Sequence, residues 1–233
     1  MLLAKLLSDI IVKIKILRAR YQNLGRLRIF RGLSRRQSLK NNLIIAGVSR
    51  AGKSTIANRL SKAFGYQHVS MDSINAGFEK AFPELGIDTH AADSNSEEWA
   101  KLSAKIAPFI RAMLDSGEYD EFKPGMVLDV AQLMPGDYVK YLSDANCEIC
   151  YFITSDITPE ERFALLKKYD IEKDYTFYKP DDVLIRQCEN IVRTSKFIKA
   201  ECEKHSVPYY ETAHQRKKIF EHLCQNHFLN VVE

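Results

Sequence analysis

The run Gly47-Val48-Ser49-Arg50-Ala51-Gly52-Lys53-Ser54-Thr55 follows an apolar stretch, Leu43 to Gly47, and opens a segment with helical spacing, Lys53 to Phe64. It fits G-x-x-x-x-G-K-[ST], with a strand before it and a helix after it, as that spacing requires. The glycines let the backbone wrap inward so that consecutive N–H groups converge on an anion. The following helix adds its positive N-terminal end. From there Lys53 can reach β- and γ-phosphates, and the Ser54 hydroxyl can ligate Mg²⁺. The expected ligand is ATP or a close relative, held by Gly47 to Thr55 with Mg²⁺.

Beyond the loop, strands and helices alternate. Tyr66 to Ser70 reads as a second strand, Met126 to Val130 as a third, Ile149 to Thr154 as a fourth and Tyr209 to Thr212 as a fifth. Ser73 to Phe82, Glu97 to Leu114, Thr158 to Tyr169, Asp181 to His205 and Gln215 to Phe228 read as helices. Trp99, Leu102, Ile106, Phe109, Ile110 and Met113 form an apolar stripe on the second of these. This alternation predicts an α/β three-layer sandwich: a mostly parallel five-stranded sheet with helices on both faces.

The net charge of +4 hides an asymmetry. Residues 1–40 carry eleven Lys and Arg against Asp9 alone, a charge of +10, so the remainder carries −6. The basic balance is thus no argument for nucleic-acid binding by the domain, and no nucleic-acid partner is expected. Leu3, Leu6, Leu7, Ile10, Ile14, Leu17 and Tyr21 recur at helical spacing, interrupted by Lys5, Asp9, Lys13 and Lys15. Those charges exclude a bilayer span and a signal-peptide core. Three readings fit this segment: a helix packed on the domain or a partner, a helix on an anionic membrane surface, or an organelle-targeting leader. The division expected is a basic amphipathic extension, 1–40, and one domain, 41–233. The five cysteines, an odd number without a signal peptide, predict reduced thiols and a cytoplasmic protein, peripheral to a membrane if the leader binds one. Cys147 and Cys150 lie three apart on a strand, hence on opposite faces, and read as structural thiols.

Parallel sheets place ligands at the carboxyl ends of their strands. Asp72, closing the second strand in Ser70-Met71-Asp72-Ser73, would therefore lie near a triphosphate, as proton acceptor, as a water-mediated Mg²⁺ ligand or as a helix cap. Asp129 closes the third strand and is a candidate Mg²⁺ ligand beside Ser54. The next residue is Val130 rather than a water-activating Glu, which argues against a dedicated ATPase. No Asn-Lys-x-Asp guanine-reading motif is present.

On Gly47–Thr55, on Asp72 and on the segment from Thr158-Pro159-Glu160-Glu161-Arg162 through Asp174 to Arg193, residues 41–225 resemble the small-molecule and nucleotide kinases of the P-loop NTPases. The resemblance is to the adenylate-kinase-like and shikimate-kinase-like group. Val127-Leu128-Asp129-Val130-Ala131-Gln132-Leu133-Met134-Pro135 is similar to a strand-and-loop of sugar-acid and zeta-toxin-like kinases, with Asp129 in place of Glu. The resemblance implies transfer of the γ-phosphate of ATP·Mg²⁺ to a hydroxyl of a small-molecule acceptor. It implies a helical lid over about 158–193, with Lys53, Asp72 and Arg162 as catalytic residues. Arg186 and Arg193 would line the lid base or pair with acids on their own helix. Tyr175, Phe177 and Tyr178 would pack at the lid tip or stack on a ligand. Ile74 to Leu114 would form the acceptor side, and His214 would lie near an adenine. A regulatory or zeta-toxin-like nucleotide binder, and a membrane-associated ATPase, are the competing readings.

Overall fold

The computed structural model describes residues 42–90, 96–117 and 125–226 of the 233. The expectations for the basic extension, and its boundary with the domain at 40/41, lie outside the described residues.

Five strands form one sheet: β1 Asn42–Gly47, β2 Gln67–Ser70, β3 Met126–Val130, β4 Cys147–Ile153 and β5 Tyr209–Glu211. Their spatial order is β2-β3-β1-β4-β5, and all four pairings are parallel. A strand covered on both faces has no reason to alternate polar with apolar residues. Every residue of β1 and of β3 is accordingly buried. The edge strand β5 is only half-buried, and β2 is half-buried to exposed.

The described helices are α1 Lys53–Phe64, α2 Met71–Ala81, α3 Ser96–Gly117, α4 Pro135–Tyr141, α5 Pro159–Tyr169, α6 Asp181–His205 and α7 Arg216–Asn226. A short 3₁₀ turn, Pro83–Leu85, follows α2. Two boundaries matter for the site. The second strand stops at Ser70, which is extended and becomes the N-cap of α2. Asp72 therefore lies in the first helical turn, not at the strand's end, where the helix dipole favours a carboxylate. In α5, Thr158 Oγ1 accepts from the Glu161 amide at 3.2 Å, and Glu161 Oε2 accepts from the Thr158 amide at 2.9 Å. This capping box, with Pro159 at the first helical position, fixes where Arg162 leaves the helix. The helix α4 is an element that the sequence pattern does not predict. Pro135 is its first residue, and the Met134 amide is satisfied by the Ser103 hydroxyl at 2.8 Å.

The core lies on both faces of the sheet. Phe152 of β4 is fully buried between Phe220 of α7, stacked at 5.8 Å, and Tyr210 of β5, edge-on at 6.1 Å. Leu166, Leu184 and Cys188, with Phe163 against them, make a separate small cluster joining α5 to α6. The thiols behave as small hydrophobes: burial pushes Cys150 and Cys202 up to about 12, so both are protonated at neutral pH. Cys147 is half-buried while Cys150 is buried, as their spacing on β4 requires. Among the described residues no group of His, Cys, Asp or Glu gathers into a metal centre, and no helix is long and apolar enough to cross a membrane.

Candidate phosphate-binding site

The loop from Gly47 to Gly52 leaves β1 at the centre of the sheet. Gly47 has φ +116° and sits in register with Phe152. A Cβ on it would come within 2.1 Å of the Phe152 carbonyl oxygen, which already accepts from the Val48 amide at 3.0 Å. Gly52, at φ +101°, is the N-cap of α1 and makes room for the Phe220 ring, which a Cβ would meet at 2.6 Å. Arg50 also has positive φ, +59°.

A backbone that aims its N–H groups inward must turn its carbonyls outward, and those need donors. Here three successive carbonyls are each taken by a cation. Val48 accepts from Lys53 Nζ at 3.0 Å, Ser49 from Arg162 Nη2 at 2.8 Å and Arg50 from Arg216 Nη2 at 2.9 Å. No side chain caps α1, whose first helical bond runs from the Ile56 amide to Gly52 at 3.1 Å. The amides of Lys53, Ser54 and Thr55 thus have no partner within the helix. They open onto a cavity of about 470 Å³ lined by Arg50, Lys53, Ser54, Asp72, Tyr175 and Arg216, among others.

Lys53 is 6% exposed. Burial lowers its pKa, against the opposing charges of Asp129 and Asp72. Asp129 is 3% exposed; burial pushes its carboxyl up, while Lys53 and a hydrogen bond from the Ser54 hydroxyl pull it down. Register places Asp129 beside Ile45 of β1 and Ser70 of β2. Its Oδ1 is buried without a hydrogen-bond partner. A hydroxyl and a carboxylate with a free oxygen are hard donors suited to Mg²⁺, which takes one or two protein ligands beside phosphate oxygens. Ser54 and Asp129 therefore fit that ion. His68 Nε2 lies 3.9 Å from Asp129 Oδ2, and its Nδ1 is 3.1 Å from Asn58 Oδ1.

The structure redistributes the arginines. Arg162 does come to the loop, but at 2% exposure it braces the Ser49 carbonyl and does not line the cavity. Burial, with Arg216 and Arg50 nearby, lowers its pKa to about 10, so it stays charged at neutral pH. Arg50 and Arg216 line the cavity instead. Arg50 pairs with Asp174 (Nη1 to Oδ1, 2.5 Å; Nη2 to Oδ2, 2.7 Å) and with Asp170, tying the loop to the segment after α5. Arg186 pairs with Asp182 at 2.9 Å and Arg193 with Asn190 at 2.6 Å; both are exposed and neither lines the cavity. Tyr175, Phe177 and Tyr178 are exposed; Phe177 and Tyr178 pack edge to face on each other at 4.9 Å, and Tyr175 borders the cavity. His214 is exposed in the turn after β5. Arg216 carries no signal in the sequence, because its partner is a backbone carbonyl 166 positions away.

Replacing Arg162 by Met keeps its bulk and removes the donor to Ser49. We expect about tenfold weaker ATP binding and a Tm lower by about 4–8 °C, from a charge-assisted hydrogen bond of ~2 kcal/mol. Titration of a fluorescent nucleotide and a thermal melt check this; unchanged affinity would show that Arg162 does not shape the loop.

No family model matches this chain, and no curated protein matches it. Among solved structures it is similar to a shikimate kinase from Acinetobacter baumannii in complex with shikimate, at 11% identity over 81% of this chain and 95% of that one, TM-score 0.45. It is similar to a deoxyadenosine kinase from M. mycoides with bound dATP, at 16% identity over 80% and 98%, TM-score 0.45. A gluconokinase from Sinorhizobium meliloti aligns at 11% identity over 70% and 97%, TM-score 0.34. With scores this low, the fold assignment stands on the parallel order β2-β3-β1-β4-β5 and on the loop between β1 and α1. Those two features make this an α/β fold of the P-loop type.

Proposed function

We propose that this chain transfers the γ-phosphate of ATP to a hydroxyl group of a small molecule. The observation that carries the reading is the tethering of Asp72. Its Oδ1 accepts from Gln132 Nε2 at 2.8 Å, and Gln132 Oε1 accepts from Asn75 Nδ2 at 3.1 Å. A carboxylate on the wall of the phosphate cavity is thus held by a chain of amides leading away from it. A carboxylate fixed in this way can accept the proton of an attacking hydroxyl.

The loop amides, Lys53 and Arg216 receive the triphosphate. Ser54 and Asp129 would hold Mg²⁺, which when bound neutralises charge on the β- and γ-phosphates. The acceptor oxygen forms a bond to the γ-phosphorus, the bond from that phosphorus to the bridging oxygen breaks, and its electron pair leaves on ADP. The hydroxyl proton goes to the Asp72 carboxylate. Catalysis here is positioning and charge neutralisation, with Lys53 following the transferring group.

Asp72→Asn keeps the shape and the Gln132 contact but cannot accept the proton. Transfer should fall about 10²–10⁴-fold while ATP affinity stays within a few-fold. ATP consumption across sugars, nucleosides and organic acids supplies the acceptor test. Rapid hydrolysis that no acceptor accelerates would sink the phosphotransfer reading.

A further inference from the structure

We infer that a second cavity, between α2 and α3, binds an uncharged compound with an aromatic or alicyclic body; resting on the phosphotransfer reading, this compound is the acceptor whose hydroxyl reaches Asp72. The cavity measures about 480 Å³, the size of a small-ligand pocket. Phe78, Leu85, Ile87, Ile106 and Phe109 give it apolar walls. Phe78 and Phe109 meet edge to face at 5.0 Å, leaving ring faces for a flat or alicyclic body.

Polar groups on its described walls are few. Lys105 is exposed, and its ammonium donates to the Gly86 carbonyl at 2.5 Å. No arginine lines the cavity among the described residues. A carboxylate or phosphate ester would ask for a buried or bidentate cation, which these walls lack. A polyol would leave most of its hydroxyls unpaired against the rings and aliphatic side chains, at a cost of about 1–3 kcal/mol each.

The remaining polar group is Asn75, fully buried on the cavity wall. The polarity of its amide follows from the carboxylate. Asp72 Oδ1 is the acceptor, so Gln132 turns its NH₂ to Asp72 and its oxygen to Asn75. Asn75 must then turn its NH₂ to Gln132, which leaves Asn75 Oδ1 buried with no partner. A buried carbonyl oxygen without a donor is an unmet requirement, and a ligand O–H or N–H meets it. The same chain couples the two cavities: an occupant that engages Asn75 lies one side chain, Gln132, away from the one that takes the proton. In transfer the occupant's hydroxyl oxygen gains the γ-phosphoryl group, its proton passes to Asp72 and ADP departs with the electron pair.

Ligand-observed NMR on the full chain tests this with a panel of neutral aryl and cycloalkyl alcohols, 4-(2-hydroxyethyl)phenol as reference, against gluconate and ribose 5-phosphate. Members of the neutral panel should bind at millimolar concentration or below, and the two anions should not. Ala104→Trp, a substitution at an exposed position on the cavity wall, should weaken the neutral ligands at least tenfold without changing ATP affinity or Tm. Binding of the anions as tightly as the neutral panel, indifference to Ala104→Trp, or no binding by any neutral alcohol would overturn the assignment. Neutral ligands that bind, respond to Ala104→Trp and never receive phosphate would leave the cavity assignment standing and remove the phosphotransfer reading.

Discussion

Lys53→Met should abolish measurable phosphoryl transfer, with kcat/KM down about 10³-fold, or about 4 kcal/mol of transition-state stabilisation. Two losses combine. The ammonium no longer follows the γ-phosphate, and the Val48 carbonyl loses its charged donor, keeping only the Ala51 amide at 3.4 Å. Circular dichroism should show an intact fold, because Met fills the same volume. Stability should nevertheless change, and with a definite pH sign. Burial already raises the Asp129 carboxyl, and Lys53 is the first influence opposing it. Without Lys53 the folded-state pKa rises further above the unfolded value. Such a shift favours the fold at low pH and loses that favour as pH rises through the folded pKa. The variant should therefore be destabilised, relative to the parent, more at pH 8 than near the ordinary carboxylate pKa of about 4. Melts at both values check this. Equal destabilisation would show that Lys53 does not govern Asp129, and transfer at parental rate would remove the loop from the chemistry.

Gly47→Ala should cost at least ~3 kcal/mol and lower Tm by about 10 °C, if soluble protein is obtained at all. The added Cβ meets a backbone oxygen at 2.1 Å, so no rotamer change relieves it, and φ +116° is a region where a side chain is strained. The clash lies between β1 and β4, at the centre of the sheet, where neither strand can yield without breaking the pairing. Gly77 is the contrast. It lies inside α2, and a Cβ added there would meet no atom within 4 Å, so Gly77→Ala should stabilise by about 0.5–1 kcal/mol. A Tm for Gly47→Ala within 2 °C of the parent would mean that the turn out of β1 is not built as described.

The contrast between these residues also marks what a sequence can reveal. Gly47, Gly52, Lys53 and Ser54 are legible because they sit together in one short run whose spacing alone marks a phosphate loop, although the partners that require Gly47, Gly52 and Ser54 lie far along the chain. The five strands are legible because apolar runs between helices of 3.6-residue periodicity leave few other architectures. The helix α4 escapes a sequence reading because a Pro that begins a helix looks the same as a Pro that ends one. The arginines are legible only in part, for a related reason. Charge and helix position say that Arg162, Arg186 and Arg193 are available, but a guanidinium goes wherever an unmatched acceptor or carboxylate is nearest. For Arg186 that is Asp182, four residues away on its own helix; for Arg162 it is the Ser49 carbonyl, 113 residues away.

The sequence by itself determined that a triphosphate-binding loop sits between a central strand and a helix, inside a parallel α/β sandwich. Spacing and periodicity are properties of neighbouring residues, and they carry that much. Only the tertiary structure decided which cations hold the loop's outward carbonyls, that Asp129 shares the Ser54 hydroxyl, and that Asp72, Gln132 and Asn75 form one directed chain into an apolar cavity. Each of those depends on partners brought together from distant parts of the chain, and on burial, which makes an unpaired polar atom costly enough to fix its orientation.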